Sequence, residues 1–225
     1  MTHAQVTALY RYPVKSMGGE TVPAYAVSPI GPAGDRNWAV IDTERRVIRN
    51  AKQWPELLRL RATYLTEPSL DAYDDAVSPV EITSPDGTAR RSTDPDVEAW
   101  LSEQLGRPVR LSARRPAHDR DHYRLPRART ADEIASELDL LDEEAVPDFA
   151  SSQDELVQLL QTSATPPGTY VDAYPLHLVT QRSLDTFRGR SGLDASVLRF
   201  RPNLLFDVDG DDAANAAGAA EQPEL

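Results

Sequence analysis

Residues 31–49 read GPAGDRNWAVIDTERRVIR, and this stretch passes from a turn into two apolar runs. The turn is rich in glycine and proline, the first apolar run is WAVID at 38–42, and the polar TERR separates it from VIR at 47–49. Short apolar runs bounded by turn residues are typical of buried strands, and two such runs joined by a short polar loop are typical of a hairpin. The stretch therefore predicts a β-hairpin.

The same kinds of signal recur on both sides of this hairpin. Further strands are predicted at 6–12, 22–27, 57–65, 79–83 and 109–112. One helix is predicted at 94–108, where Asp94 caps the start, Gly106 and Pro108 stop the end, and the apolar stripe is Val97, Trp100, Leu101 and Leu105. Many short strands in succession imply a barrel or a sandwich. The predicted fold class is α+β, mainly β.

The second half of the chain mixes helices with strands. Helices are predicted at 151–161, with a capping box from Ser152 to Glu155, and at 181–190. A buried strand is predicted at 175–180, after a loop at 165–175, and a strand interrupted by Pro202 at 198–208. We predict a first domain at 1–115, a second at 116–210 with an acidic helical insertion, and a disordered tail at 211–225.

Composition excludes several classes of function. The chain has 225 residues and a formal net charge of −12, which argues against general nucleic-acid binding because a phosphate backbone demands a basic face. No apolar run is long enough to span a membrane and no signal-peptide series opens the chain, so the expected location is the cytoplasm without membrane attachment. Cysteine is absent, which excludes disulfides and thiol catalysis and removes the softest metal ligand.

Charge is also divided along the chain. Eight arginines lie between residues 107 and 129, whereas residues 130–181 contain eleven Asp or Glu and no Lys or Arg. Two interpretations are open. The favoured one is two separately solvated segments, and the other is a contact between the two blocks.

Side chains suited to anion binding occur at four predicted strand ends. They are Lys15 and Ser16 before Gly18-Gly19, Arg36 after a Gly-rich turn, Thr180 and Ser183 at a strand-to-helix junction, and Arg201 and Asn203 around Pro202. Three of the four have a structural alternative. Lys15 is then a surface lysine in a turn, Arg36 pairs with Asp35 or Asp42, and Thr180 caps a helix.

Two histidine signals are weaker. His118 and His122 in HDRDH have the i, i+4 spacing of a helical metal site, but no third ligand is marked and four arginines lie nearby. His177 lies in the predicted buried strand, which favours a structural histidine over a base. The sequence contains no Ser-His-Asp arrangement, Walker loop or dinucleotide fingerprint.

Six motifs, taken in order, resemble the MOSC family, which includes cofactor sulfurases and amidoxime-reducing proteins. They are YPVKS (12–16), GPAGDRNWAVID (31–42), RNAKQWPEL (49–57), WLSEQLGRPVRL (100–111), LVTQRSLDTF (178–187) and RFRPN (199–203). The resemblance implies that the first domain is the family's amino-terminal β-barrel domain. It also implies that the second is a truncated MOSC domain, an incomplete β-barrel with short helices, whose opening lies at 170–207.

The resemblance further implies a molybdenum-pterin cofactor. By motif, Lys15, Ser16 and Arg36 would hold its phosphate, and the residues lining the rest of the pterin site would be Thr180, Ser183, Arg201 and Asn203. The implied activities are reduction of N-hydroxylated compounds, with electrons from an iron-sulfur or flavin partner, or sulfur delivery to the cofactor. Pyridoxal phosphate is not expected in this chain.

The sequence departs from the family in one respect. The family carries a cysteine downstream of RFRPN that ligates molybdenum or carries sulfur, and these 225 residues contain none. Two other hypotheses therefore stay open. One is a module that binds pterin or another phosphate without turnover, and the other is a product that folds only in its first domain.

Overall fold

The computed structural model describes residues 3–141, 143–147 and 154–209. Its strands are β1 His3–Arg11, β2 Glu20–Val22, β3 Val27–Ser28, β4 Gly31–Pro32, β5 Trp38–Asp42, β6 Val47–Ile48, β7 Arg61–Tyr64, β8 Val80–Thr83, β9 Ala89–Arg91, β10 Val109–Ala113, β11 Leu178–Thr180 and β12 Leu204–Asp209. Its α-helices are α1 Val97–Leu105, α2 Arg120–Tyr123, α3 Ala131–Leu138, α4 Glu155–Leu160 and α5 Gln181–Ser191. The α+β, mainly β class is confirmed, with the strands arranged in four sheets.

The described chain divides into two compact units. The larger unit consists of Arg11–Glu20 and Ala26–Pro175, and the smaller unit takes its described residues from 3–10, 21–25 and 176–209. Compactness rather than sequence motif defines these units, so the domains 1–115 and 116–210 stay predictions.

The predicted hairpin is confirmed and lies at the centre of the larger unit. β5 pairs antiparallel with β6 and with β10, and the sheet order is β10-β5-β6. Successive side chains of a strand point to opposite faces, and both faces of β5 are covered. Val40 packs in one apolar cluster, while Ala39 and Ile41 pack in another with Tyr123 and Tyr170. Two-sided burial explains why WAVID is apolar along its length.

Helix α1 has the predicted apolar stripe, because Val97, Trp100, Leu101 and Leu105 are all buried. The helix is shorter than predicted at its start. Asp96 stands at the cap position, and the Asp94 carboxylate instead accepts a hydrogen bond from the backbone N–H of Arg91, which ties a turn. The helix ends as predicted at Gly106, whose φ of 67° is the left-handed conformation that glycine tolerates best.

Two predicted strands of the first half of the chain are wrong in extent. Residues 57–65 begin as part of a 3-10 helix at Pro55–Arg59, which the proline opens, and only Arg61–Tyr64 joins the sheet. The predicted strand 22–27 is split into β2 and β3, since Pro23 has no N–H for a ladder hydrogen bond. Helix α3 was not predicted, although Thr130 and Glu133 form the capping box that its sequence carries.

The smaller unit is built on a four-stranded sheet in the order β11-β12-β1-β2. β1 runs antiparallel to β12, whereas β11 runs parallel to β12 and α5 makes the crossover between them. Leu184 of α5 and Leu205 of β12 are buried. Helix α5 matches the prediction and ends at Gly192.

Two predictions for the smaller unit are corrected. The strand at 175–180 is not buried, because β11 begins only at Leu178, lies at the sheet edge and leaves Leu178 half exposed. His177 is exposed as well, so it is not a core histidine. The strand at 198–208 is shorter, because a 3-10 turn at Val197–Arg199 and the left-handed backbone of Arg201 precede β12.

Some predictions concern residues outside the described ranges. Ser152 of the predicted capping box and the tail at 211–225 are among them. Helix α4 starts from Asp154, whose carboxylate accepts a hydrogen bond from the backbone N–H of Leu156 at 2.8 Å. Within the described ranges, every helix is too short or too polar to cross a membrane.

Candidate functional site

Lys15, Ser16 and Arg36 come from two backbone segments that run side by side in the larger unit. The N–H of Lys15 donates to the carbonyl of Trp38 at 2.8 Å, and the N–H of Arg36 donates to the carbonyl of Tyr12 at 2.7 Å. These bonds extend the pairing from the amino end of β5 to the YPVKS segment. The fold thus places the three predicted phosphate-binding residues of this unit on neighbouring segments.

Lys15 is buried, with only 3% of its surface exposed, so the surface-lysine alternative is wrong. Its Nζ donates to the backbone carbonyl of Tyr170 at 3.0 Å and forms an ion pair with the carboxylate of Asp172. The Asp172 side chain is 82% exposed. A buried ammonium group needs such partners because desolvation penalises an unpaired charge.

Ser16 follows with a backbone φ of 67° and is also buried. Its Oγ accepts a hydrogen bond from the N–H of Ala51 at 2.9 Å, which leaves the hydroxyl hydrogen as the group's donor. A left-handed backbone costs a residue with a Cβ about 1 kcal/mol or more. The surrounding contacts therefore hold this serine in a conformation that it would not adopt by itself.

Arg36 also has a left-handed backbone, with φ of 50°. Its guanidinium pairs with the carboxylate of Asp35 and lies 5.3 Å from the ring centroid of Tyr12. The other oxygen of Asp35 accepts from the N–H of Tyr12 at 2.9 Å. Of the two predicted partners the structure selects Asp35, because Asp42 is held by Arg49 through Nη2 at 2.6 Å.

Left-handed backbone is concentrated at predicted site residues. Among the described residues other than glycine, φ is positive at Ser16, Arg36, Arg46, Asp74, Asp139 and Arg201. Three of these six were predicted as cofactor-binding residues from motif alone. Strained backbone of this kind persists where surrounding structure enforces it, and it clusters at binding sites.

Three of the four predicted residues of the smaller unit, Thr180, Ser183 and Asn203, have structural contacts. Thr180 caps α5, since its Oγ1 accepts from the N–H of Ser183 at 2.9 Å and donates to Ser183 Oγ at 2.7 Å. Asn203 is fully buried, and its Oδ1 accepts from the N–H of His177 at 3.1 Å. Thr180 lies level with Phe206 in the parallel ladder, about 10 Å along the strands from Asn203. This unit therefore separates the two pairs of residues.

The HDRDH segment does not form the helical metal site that its spacing suggested. Helix α2 starts at Arg120, so His118 lies outside it. The described residues include no group of three His, Asp, Glu or Cys side chains placed to hold a metal. His122 Nε2 instead lies 2.6 Å from the hydroxyl of Tyr170, and burial lowers the pKa of its imidazole to about 4.

Sequence reasoning missed the cluster of His122, Tyr123 and Tyr170. The two tyrosine rings are 5.8 Å apart, and the Tyr170 hydroxyl also donates to the carbonyl of Ala113 at 3.0 Å. Tyr170 lies in a loop without periodicity, so no local signal marked it. It is nevertheless the residue whose carbonyl holds Lys15.

The arginine-rich and acidic blocks contact each other. Arg127 pairs with Glu133 at 2.7 Å, and Arg129 pairs with Glu137 at 2.8 Å. The favoured interpretation of two separately solvated segments is therefore corrected at these residues. Both pairs are close in sequence, since they join the end of one block to the start of the other.

Comparison with known proteins agrees with the motifs. Residues 3–108 match the family model of the MOSC N-terminal beta barrel domain. A molybdenum cofactor sulfurase from Danio rerio is 31% identical over 135 residues, in an alignment that covers 52% of this chain and 16% of the relative. The chain thus spans about a sixth of the length of the curated relative that it matches.

Proposed function

We propose, from the premise that residues 3–108 belong to the MOSC N-terminal β-barrel domain family, that this protein has a role in molybdenum cofactor chemistry and binds the cofactor's pterin phosphate. One observation carries the proposal. Lys15, Ser16 and Arg36 extend from two paired segments, and two of the three have a left-handed backbone that the fold enforces.

The donor chemistry of these residues fits a phosphate. An ammonium group, a hydroxyl and a fork-shaped guanidinium are the side-chain groups that bind phosphate oxygens most often. In the structure the two cations hold carboxylates, Lys15 that of Asp172 and Arg36 that of Asp35. Because the Asp172 side chain is 82% exposed, a phosphate can replace it at Lys15 without leaving a buried carboxylate unpaired.

In the smaller unit, Thr180, Ser183, Arg201 and Asn203 are proposed as pterin-binding residues on the ground of the resemblance alone. Arg201 is the strongest of the four, because its backbone φ of 53° is left-handed like that of Ser16 and Arg36. Thr180 and Asn203 have the structural roles described above, so we expect them to shape the smaller unit rather than to dominate binding.

When bound, the cofactor would supply redox or sulfur-transfer chemistry at molybdenum. Reduction of N-hydroxylated compounds with electrons from an iron-sulfur or flavin partner is the proposed activity, and sulfur delivery to the cofactor is the alternative within the family. The part of this chain would be to fix the phosphate end of the pterin and so set the position of its other end.

A second candidate is a module that binds the pterin phosphate without turnover. The donor set favours it, because the side chains of Lys15, Ser16 and Arg36 are donors suited to phosphate oxygens, and none of them is a thiolate that could ligate a metal. The first candidate differs by requiring molybdenum at the site.

The test is the pterin and molybdenum content of the protein purified from cells that make the cofactor. Pterin is measured by fluorescence after oxidation and molybdenum by mass spectrometry, for the parent protein, Lys15→Ala and Arg36→Ala. Lys52→Ala and Arg59→Ala are matched controls, because both side chains are exposed. Circular dichroism melts verify that each variant is folded.

Loss of pterin in the two site variants, with retention in the two controls, is the expected result. Molybdenum together with pterin supports the enzyme candidate, and pterin alone supports the binding module. Pterin retained in the Lys15→Ala, Arg36→Ala double variant would overturn the site assignment. A parent protein without pterin would overturn the proposed function.

A further inference from the structure

A cavity of about 340 Å³ in the larger unit lies apart from the residues assigned to the pterin phosphate. Arg46, Arg110 and Asp121 contribute charged side chains to it, and Ile41 and His122 contribute to its wall. It shares none of Lys15, Ser16 and Arg36. Its volume is at the lower end of the range for small-molecule sites.

Arg46 lies in a turn that its own hydrogen bonds hold in place. One carboxylate oxygen of Asp42 accepts from the N–H groups of Glu44 and Arg45, each at 3.0 Å, and the other oxygen holds Arg49. Arg46 itself has φ of 56°. The hairpin therefore holds Arg46 in a backbone conformation that glycine would adopt at a lower cost in free energy. Glycine at this position would not supply the guanidinium group to the cavity.

Arg110 reaches the same cavity from β10, where it is paired with Ile41 across the ladder. Arg46 and Arg110 are both exposed, and within the described ranges neither side chain has an ion-pair or hydrogen-bond partner. The nearby Thr43 hydroxyl already donates to the carbonyl of Pro108 at 3.2 Å. The two guanidinium groups are thus available as donors in the cavity.

Charge favours an anion here. Asp42 is neutralised by Arg49, so the cavity carries two unpaired positive charges against the single carboxylate of Asp121. A local positive excess is notable in a chain with a net charge of −12. Paired guanidinium forks match the oxygens of a phosphate or carboxylate.

The wall of the cavity suits a ligand that is larger than a bare ion. A phosphate group fills only part of about 340 Å³, and the rest is bordered by the Ile41 side chain and the His122 imidazole. The Tyr170 hydroxyl at 2.6 Å from Nε2 holds that ring in place. An apolar or aromatic group beside the anion would pack against this wall.

We propose that this cavity is a binding site for a small organic phosphate, with Arg46 and Arg110 holding the phosphate and Ile41 and His122 contacting its organic part. The site is additional to the pterin phosphate site and does not depend on it.

The test follows the His122 ring by NMR in the full chain, titrated at pH 7 with inorganic phosphate and with phenyl phosphate. The ring signals are assigned by their loss in His122→Gln. We expect saturable shifts with both probes and tighter binding of phenyl phosphate. Arg46→Gly and Arg110→Ala should each weaken binding about tenfold, which corresponds to the loss of one charge-assisted contact. Arg59→Ala, an exposed arginine elsewhere, should leave binding unchanged.

Arg46→Gly keeps the turn intact, since glycine relieves the left-handed backbone, so lost binding in it is not lost folding. Unchanged binding in the Arg46→Gly, Arg110→Ala double variant overturns the proposal. Equal shifts with sodium chloride at matched ionic strength overturn it too. The same titration in Lys15→Ala, Arg36→Ala should still move His122, which keeps the outcome separate from that of the pterin site.

Discussion

The larger unit contains two cationic regions that differ in how their positive charges are stabilised. Lys15 and Arg36 are buried and already hold the carboxylates of Asp172 and Asp35, whereas Arg46 and Arg110 are exposed and have no partner within the described ranges. Buried cations need a counter-charge for the protein to fold, but solvated cations do not. An anion must therefore replace a carboxylate at Lys15, while at Arg46 and Arg110 it only displaces water.

The comparison is tested most strongly by removing one carboxylate from each region. Asp35→Ala leaves the Arg36 guanidinium buried without its ion pair and removes the acceptor of the Tyr12 N–H. We expect a loss of about 3–5 kcal/mol in the free energy of unfolding. Asp121→Ala, at the exposed cavity, should change it by less than about 0.5 kcal/mol. Urea denaturation measures both, and equal losses would refute the contrast.

Acid should weaken the protein through His122, a half-buried imidazole in the wall of the exposed cavity. Burial lowers its pKa to about 4 from an ordinary value near 6.5. The unfolded chain thus binds the proton first, and stability present above about pH 6.5 is lost as pH falls toward about 4. The neighbouring groups that act on it are Arg115, Asp119, Arg110, Asp74 and Tyr170.

We expect a loss of about 1–2 kcal/mol in the free energy of unfolding between pH 7 and pH 4.5, after discounting for the solvent exposure of the ring. Denaturation of the parent protein and His122→Gln at both pH values isolates this contribution. If the two proteins lose stability in parallel, His122 is not its source.

If a phosphate replaces the Asp172 carboxylate at Lys15, Asp172→Asn should increase the affinity of the protein for the pterin phosphate. The asparagine keeps a polar side chain on the exposed loop but removes the charge that competes for the ammonium group. Because an ion pair with an exposed partner is worth at most about 1 kcal/mol, we expect pterin retention to rise about fivefold. Asp71→Asn serves as the control at another exposed carboxylate. Reduced retention would mean that Asp172 helps to hold the ligand.

The smallest expected effects come from the same substitution, arginine to glycine, made once in each region. Arg46→Gly should raise the free energy of unfolding by up to about 1 kcal/mol, because it relieves a left-handed backbone and breaks no ion pair among the described residues. Arg36→Gly relieves a similar backbone but leaves the Asp35 carboxylate buried without its partner, so it should destabilise. Thermal melts decide the two signs. If both variants are stabilised, backbone strain outweighs charge pairing at Arg36; if both are destabilised, relief of backbone strain is not the dominant effect at Arg46.

Local signals predicted much of the fold. The hairpin at 38–49 and the buried stripe of α1 followed from patterns that tertiary contacts reinforce. Residues 57–65 carry the same apolar signal, but Pro55 opens a 3-10 turn that uses their first residues. A short apolar run does not reveal which of its residues the sheet will accept.

The site was predictable only in part. Strand-end position and motif resemblance made Lys15, Ser16 and Arg36 candidates, and the Asp35 partner of Arg36 is its neighbour in sequence. The partners of Lys15 are 155 and 157 residues away, in a loop with no periodic pattern. The surface-lysine alternative was therefore reasonable from sequence and wrong in the fold. The Arg46 and Arg110 cavity was missed for the same reason, since only the β5–β10 register brings it together.

Tyr170 contributes a main-chain atom to one region and a side-chain atom to the other. Its carbonyl oxygen accepts from Lys15, and its hydroxyl contacts His122. In a mutational scan, replacements at position 170 would delete the ring and hydroxyl but never the carbonyl. Such a scan would therefore score Tyr170 for core packing and for the His122 contact, and it would be blind to the anchor of Lys15.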